Sequence, residues 1–140
     1  MALKGPIILV DDDEDDQYLI GLALKSCQLP NKLVFFGNGQ DALHYLQKED
    51  EQPFIIICDI NMPVMNGLEF RKQINTDKRL REKSIPFVYL TTAANAQQVQ
   101  EAYDYTVQGF FKKVSDYEGL EKQLKCIIDY WQTCLHPNNI

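Results

Sequence analysis

Four of the short apolar runs in this chain of 140 residues end on side chains that can do chemistry together. Ile7-Ile8-Leu9-Val10 runs into Asp11 and Asp12, and Phe54-Ile55-Ile56-Ile57-Cys58 runs into Asp59. Phe87-Val88-Tyr89-Leu90 is followed by Thr91 and Thr92, and Gly109-Phe110-Phe111 by Lys112 and Lys113. Two or three carboxylates without Cys or His are hard oxygen ligands, suited to Mg²⁺ rather than to zinc or copper. Without a cation they repel, because two unit charges ~4 Å apart cost about 4 kcal/mol at an effective dielectric of 20. A lysine and a hydroxyl beside them complete what a phosphoryl group in transfer requires, namely charge neutralisation and fixed donors. Neither glycine-rich phosphate-loop pattern occurs, so a nucleotide is not the obvious donor. A carboxylate can itself accept the phosphoryl group, and Asp59, alone at the end of the central apolar run, is the natural acceptor.

These groups meet only if the chain places strand ends side by side. Apolar runs at Pro6 to Val10, Leu33 to Phe36, Phe54 to Cys58, Pro86 to Leu90 and Gly109 to Phe111 predict five strands. Five segments with helical spacing alternate with them, around Leu19 to Ser26, Ala42 to Leu46, Leu68 to Ile74, Val99 to Tyr103 and Leu120 to Trp131. Asp116 is placed to cap the last. The alternation predicts α/β architecture, a parallel sheet with helices on both faces. The first, third and fourth runs are nearly continuous in apolar residues, as strands covered on both faces should be. In such a sheet the chemistry lies beyond the carboxyl ends of the strands.

The bulk numbers agree with a single domain, here 1–140, with a core at about 5–132 and a short tail over 133–140. The six acids at 11–16 account for the whole excess of 20 acids over 14 bases. With no basic stripe, nucleic-acid binding has little support. No bilayer-length apolar run and no secretory signal is present, so the chain reads as cytoplasmic and away from the membrane. Cys27, Cys58, Cys126 and Cys134 lack metal or disulfide spacing and read as reduced, buried thiols. His44 and His136 lack ligand partners and read as surface or half-buried. The tail from His136 to Ile140 reads as frayed, with nothing in it to bury.

The ordered set of Asp11 and Asp12, then Asp59 with Met62, Pro63, Met65 and Gly67 after it, then Thr91, then Lys113 resembles the receiver domains of two-component response regulators, of the chemotaxis-regulator type. The resemblance spans about residues 5 to 132. It implies a doubly wound, flavodoxin-like (βα)5 three-layer sandwich of strand order 2-1-3-4-5. It also implies that Asp59 takes a phosphoryl group from a phosphohistidine on a sensor histidine kinase or histidine phosphotransfer protein. By the same likeness Asp12 ligates Mg²⁺ directly, Asp11 assists through water, and Asp59 and the backbone carbonyl of Asn61 complete the set. Thr91 and Lys113 then contact phosphoryl oxygens, and Phe110 is the switch aromatic whose rotamer follows the threonine. The likeness further implies a signalling protein rather than an enzyme with turnover, whose output is binding to a downstream protein. The segment Asn95 to Gln100, with Tyr103 and Tyr105, is the candidate surface.

Two positions depart from the family pattern. Val114 stands where a proline usually follows the lysine, so a trans peptide and a differently aimed Lys113 are expected, since a cis bond before a non-proline costs about 2.5 to 4 kcal/mol. Thr92 stands where a small residue is common, which narrows access to the phosphoryl group. Asp13 is an auxiliary acid, while Glu14, Asp15 and Asp16 suit the first turn of a helix. A calcium loop starting at Asp11 fails, because Asp16 and Leu22 occupy its required Gly and Glu positions. A haloacid-dehalogenase-like phosphohydrolase needs a general-acid Asp where Asn61 stands. A receiver that acts only as a phosphorylation-independent adaptor is disfavoured by the intact set of site residues.

Overall fold

A computed structural model describes residues 2–136. After a 3-10 turn at Ala2–Lys4, five strands run in parallel: β1 (Ile7–Val10), β2 (Leu33–Phe36), β3 (Ile55–Cys58), β4 (Phe87–Thr91) and β5 (Gly109–Lys112). Their spatial order is β2-β1-β3-β4-β5. The helices are α1 (Glu14–Ser26), α2 (Gly39–Lys48), α3 (Gly67–Thr76), α4 (Lys78–Glu82), α5 (Ala96–Asp104) and α6 (Tyr117–Thr133). The doubly wound (βα)5 arrangement is thus present with one helix more than expected. The additional α4 holds five residues with a single buried apolar side chain, Leu80, too few to show a helical period. It forms because Asp77 ends α3 and caps α4 with the same residue, accepting from the Leu80 amide.

Side-chain alternation along the strands divides the core in two. Ile8, Val10, Ile56, Cys58, Phe87 and Tyr89 face α2, α3, α4 and α5, and Ile7, Leu9, Ile55, Ile57, Val88 and Leu90 face α1 and α6. Every residue of β1, β3 and β4 is buried, as the continuous apolar runs require, while the edge strands are partly open. Register then sets the ends level: Val10 pairs with Cys58 and Cys58 with Tyr89, so Asp11 and Asp59 leave the sheet side by side.

The expectations for the tail and the thiols need correction. His136 is buried, its ring packed on Phe54 at 5.6 Å and on Trp131 at 6.0 Å, with Nε2 3.0 Å from the Trp131 carbonyl oxygen. The chain turns back after α6, and an amphipathic ring with one polar contact fills the space under the sheet. Residues 137–140 lie outside the described residues. Of the cysteines only Cys58 is fully buried; Cys126 is exposed and Cys27 and Cys134 are intermediate, all four free.

The site end of the fold depends on one close approach. Gly67 begins α3 against the turn after β3, its amide donating to the Ile60 carbonyl. A Cβ there would lie 2.2 Å from the Asp59 carbonyl oxygen and 3.0 Å from the Tyr89 ring, and the first of these is backbone. Gly67→Ala is expected to destabilise the protein by about 2–3 kcal/mol through overpacking, read as a lower urea midpoint. An unchanged midpoint would refute this account of the loop.

Candidate functional site

The carboxyl ends of β1, β3, β4 and β5 meet in one polar cluster. Asp11, Asp12 and Asp59 each offer a carboxylate oxygen, and the three oxygens lie within 4.8 Å of one another. Asp11 is only 1% exposed and Asp59 9%, while Asp12 is open to solvent. The Lys113 ammonium reaches in from the end of β5, 2.6 Å from Asp11 Oδ2, 2.8 Å from Asp16 Oδ2 and 3.8 Å from Asp59 Oδ2. Asp59 Oδ1 accepts from the Ile60 amide at 2.7 Å, and Asp11 Oδ1 from the Asp13 amide at 3.0 Å.

The backbone carries these groups into place. The Asp11 amide donates to the Phe36 carbonyl and the Asp59 amide to the Val10 carbonyl, so both acids extend the ladders by one residue. The Lys113 amide donates to Thr91 at 2.8 Å and does the same for β5. No cis peptide occurs among the described residues, so the bond between Lys113 and Val114 is trans as expected. The expected redirection of Lys113 is not found: its side chain points into the cluster. Lys112, one residue earlier, is exposed.

Thr91 is buried at the end of β4, and its hydroxyl donates to the Ala93 carbonyl at 3.4 Å. Thr92 is exposed. The Asn61 side chain donates to the same Ala93 carbonyl and accepts from Gln98 at the start of α5, both at 3.4 Å. Phe110 is half-buried against Tyr89, ring centroids 5.5 Å apart, and lines a cleft of about 440 Å³ with Thr92, Val99, Tyr103 and Lys112. The Tyr89 hydroxyl donates to the Gly67 carbonyl at 2.9 Å and ties β4 to the start of α3. In the loop between, exposed Val64 holds a left-handed φ of 67° inside a tight turn closed by the Met65 amide on the Pro63 carbonyl. A β-branched residue there is strained.

Asp16 and Gln17 were not foreseen in the cluster. Asp16 is a direct partner of Lys113, and the Gln17 amide group donates to the Asp11 carbonyl oxygen. The spacing contained the signal, since a helix starting right after Asp13 keeps both in its first turns, near enough to reach back to the strand end. Asp13 is not an auxiliary acid of the cluster. It is the N-cap of α1, its side chain accepting from the amides of Asp15 and Asp16.

This geometry sits on a chain whose residues 7–125 match the family model of the response regulator receiver domain. The chain belongs to the response regulator receiver family. It is similar to response regulator Rcp1 of Synechocystis sp., 30% identical over 130 residues that cover 89% of this chain and 87% of Rcp1. Among solved structures it resembles the phosphorylated cyanobacterial phytochrome response regulator RcpA, with a TM-score of 0.86 and 30% identity over 96% of this chain and 98% of that one. The Mn²⁺-bound form of Rcp1 gives a TM-score of 0.83 at 28% identity, covering 96% of this chain and 99% of that one. The chain is therefore a receiver domain of two-component signalling, and its acidic cluster fits a phosphorylation site with a divalent cation. The fit rests on the donor set, three oxygens of one chemical kind within reach of one ion and no softer ligand among them. Among the described residues no helix is long and apolar enough to cross a membrane.

The charge balance is uneven. Burial pushes the Asp11 carboxyl up to about 6 from its ordinary 3.8, despite the hydrogen bond from Lys113. Burial also opposes the Lys113 charge, but its bonds to Asp11 and Asp16 outweigh that and hold it above the usual lysine value. One ammonium shared among three carboxylates does not repay the desolvation of the innermost. Asp11 binds its proton more tightly folded than unfolded. Its contribution to stability is therefore greatest below about pH 4 and is lost as the pH rises through about 6. Asp11→Asn is expected to stabilise the metal-free protein by about 1–3 kcal/mol at pH 8, with the gain shrinking as the pH falls through 6. Paired urea titrations at pH 8 and 5 check this, and an equal difference at both would contradict it.

Proposed function

We propose that this receiver, a single domain over 1–140, accepts a phosphoryl group on Asp59 from a phosphohistidine of a sensor histidine kinase or histidine phosphotransfer protein. The observation that carries this reading is the position of Asp59: a nearly buried carboxylate facing one lysine and two further acids at the carboxyl ends of a parallel sheet. A carboxylate oxygen of Asp59 attacks phosphorus, the bond from phosphorus to the imidazole nitrogen breaks, and the electron pair leaves with the imidazole. The protein's part is positioning and charge. The Ile60 amide fixes the rotation of the acceptor, Lys113 meets one phosphoryl oxygen, and the Thr91 hydroxyl, released from Ala93, meets another. Asp11, Asp12, Asp59 and the backbone carbonyl of Asn61 would hold Mg²⁺, which neutralises charge on the incoming phosphoryl group.

Output follows from the same geometry. Thr91, Ala93 and Asn61 connect the acceptor site to the start of α5, and Phe110 lines the cleft beside it. Movement of Thr91 toward a phosphoryl oxygen would bias the arrangement of α5, β5 and Phe110, and with it binding of a downstream protein at Asn95 to Gln100 and the exposed Tyr103. The reading places the chain in the cytoplasm, with no role in binding nucleic acid or membrane. A phosphohydrolase remains disfavoured, since the Asn61 side chain bridges Ala93 and Gln98 and an amide cannot protonate a leaving group.

Incubation with a small-molecule phosphodonor, followed by intact mass, tests this. One adduct is expected with Mg²⁺, strongly reduced under chelation and absent in Asp59→Asn; an adduct that survives Asp59→Asn would move the acceptor. Asp12→Asn, at a solvent-exposed position, is expected to keep the fold and to raise the Mg²⁺ concentration for half-maximal adduct about tenfold, as for the loss of one charged ligand. Sustained turnover of phosphate monoesters would favour the hydrolase.

A further inference from the structure

A second polar cavity, of about 410 Å³, lies at the opposite end of the sheet, where β4 and β5 begin. Its central group is Arg71 of α3, only 6% exposed. The guanidinium donates from Nε to the Tyr105 carbonyl at 3.1 Å, and from Nη2 to the Thr106 carbonyl at 3.2 Å and the Thr106 hydroxyl at 3.4 Å. It lies 5.1 Å from the centre of the Phe87 ring. Among the described residues no carboxylate lies within ion-pair distance of it, and Nη1 makes no hydrogen bond to protein. A buried cation held only by carbonyls and a ring lacks the counter-charge that such groups usually have. The carbonyls are moreover shared: Tyr105 O also accepts from Asn75 and from the Thr106 hydroxyl, and Thr106 O from Gln108.

The rest of the cavity has the same bias. Arg81 lines it from α4, its side chain making one hydrogen bond among the described residues, a 3.5 Å contact to the Asn75 carbonyl, and Ser84 and Gln108 add neutral polar groups. Ile74 and Ile85 form an apolar floor, and among the described residues no acidic side chain lines the cavity. Two guanidinium groups, one buried over an apolar floor with its Nη1 free of protein partners and one on an exposed side chain, supply charge-assisted donors for a planar or tetrahedral oxyanion. We propose that this cavity binds a small oxyanion, a phosphoryl or carboxylate group, through Arg71 and Arg81. The site is separate from the acidic cluster and does not depend on the phosphoacceptor reading. The ligand would tighten the hold of α3 and α4 on the turn at Tyr105 and Thr106 that joins α5 to β5.

The test is an amide and arginine side-chain NMR titration of the full chain in chelator at constant ionic strength, with inorganic phosphate in one arm and succinate in the other. Saturable shifts are expected at Arg71 Nε, Ser84, Thr106 and Gln108 in at least one arm, and the arm that saturates identifies the group recognised. Arg81→Ala, a change at an exposed side chain, is expected to weaken that binding about fivefold, the value of one partly screened charge contact. Arg71→Met is expected to abolish it. Linear shifts in both arms, saturation only near Asp59, or saturation that Arg81→Ala leaves unchanged would each overturn the proposal.

Discussion

Carboxylates do not gather in a protein interior without compensation, and here the compensation is one ammonium group. Lys113 lies within 4 Å of Asp11, Asp16 and Asp59 at once. At this spacing each like-charged pair costs about as much as each attraction returns, on the order of 4 kcal/mol at a dielectric near 20. The three attractions offset that repulsion only if the lysine is held in a fixed place. The sheet supplies that: β4 and β5 are paired up to Thr91 and Lys112, and the Lys113 amide extends the ladder one residue further. The fully buried β1 and β3 fix Asp11 and Asp59 in the same way from the other side. The apolar core and the polar site are one design, because the burial that makes the strands rigid also desolvates the acids.

That desolvation sets the state of the site. An Asp11 carboxyl pushed up to about 6 is nearly neutral in mild acid and charged above neutrality, so the charge of the cluster changes within an ordinary pH range. A divalent ion among the three acids would add the positive charge that one lysine shared three ways lacks. The ring series from Phe70 to Phe87, Tyr89 and Phe110, with centroids 5.7, 5.1 and 5.5 Å apart, runs from the interior of α3 to the half-open β5. Close-packed side chains of this kind transmit strain rather than absorb it. A rearrangement at Thr91, two residues from Tyr89, therefore meets a rigid series rather than a soft core.

The fold was legible where burial is complete on both sides. β1, β3 and β4 read as apolar runs because no position in them faces water, and Asp11, Asp59 and Thr91 followed as their ends. Legibility failed where a residue's role depends on a distant partner. Nothing in the sequence near His136 points to Phe54, more than eighty residues earlier, against which its ring is packed. Arg71 falls within the helical spacing of Leu68 to Ile74, but its role depends on the turn at Tyr105 and Thr106, whose carbonyls accept from it. Helix α4 was hidden for a different reason, since its formation depends on a shared cap rather than on a hydrophobic period. Asp13 and Asp16 were hidden by composition: in a run of six acids each looks alike, and only the start of α1 tells a cap from an ion-pair partner.

The valine after Lys113 makes that last distinction consequential. Without the proline common in the family, the loop from β5 to α6 has one rigid restraint fewer, and Val114 is exposed. Two contacts nevertheless fix the lysine at its ends: its amide on Thr91, and its ammonium between Asp11 and Asp16. Asp16 is therefore more than a first-turn acid that favours the helix dipole. It stands on α1, outside the sheet, and holds the ammonium at 2.8 Å, nearer than the 3.8 Å that separates Lys113 from Asp59. A lysine paired with Asp59 alone would sit directly on the proposed acceptor, whereas one shared with Asp11 and Asp16 stands off from it at 3.8 Å.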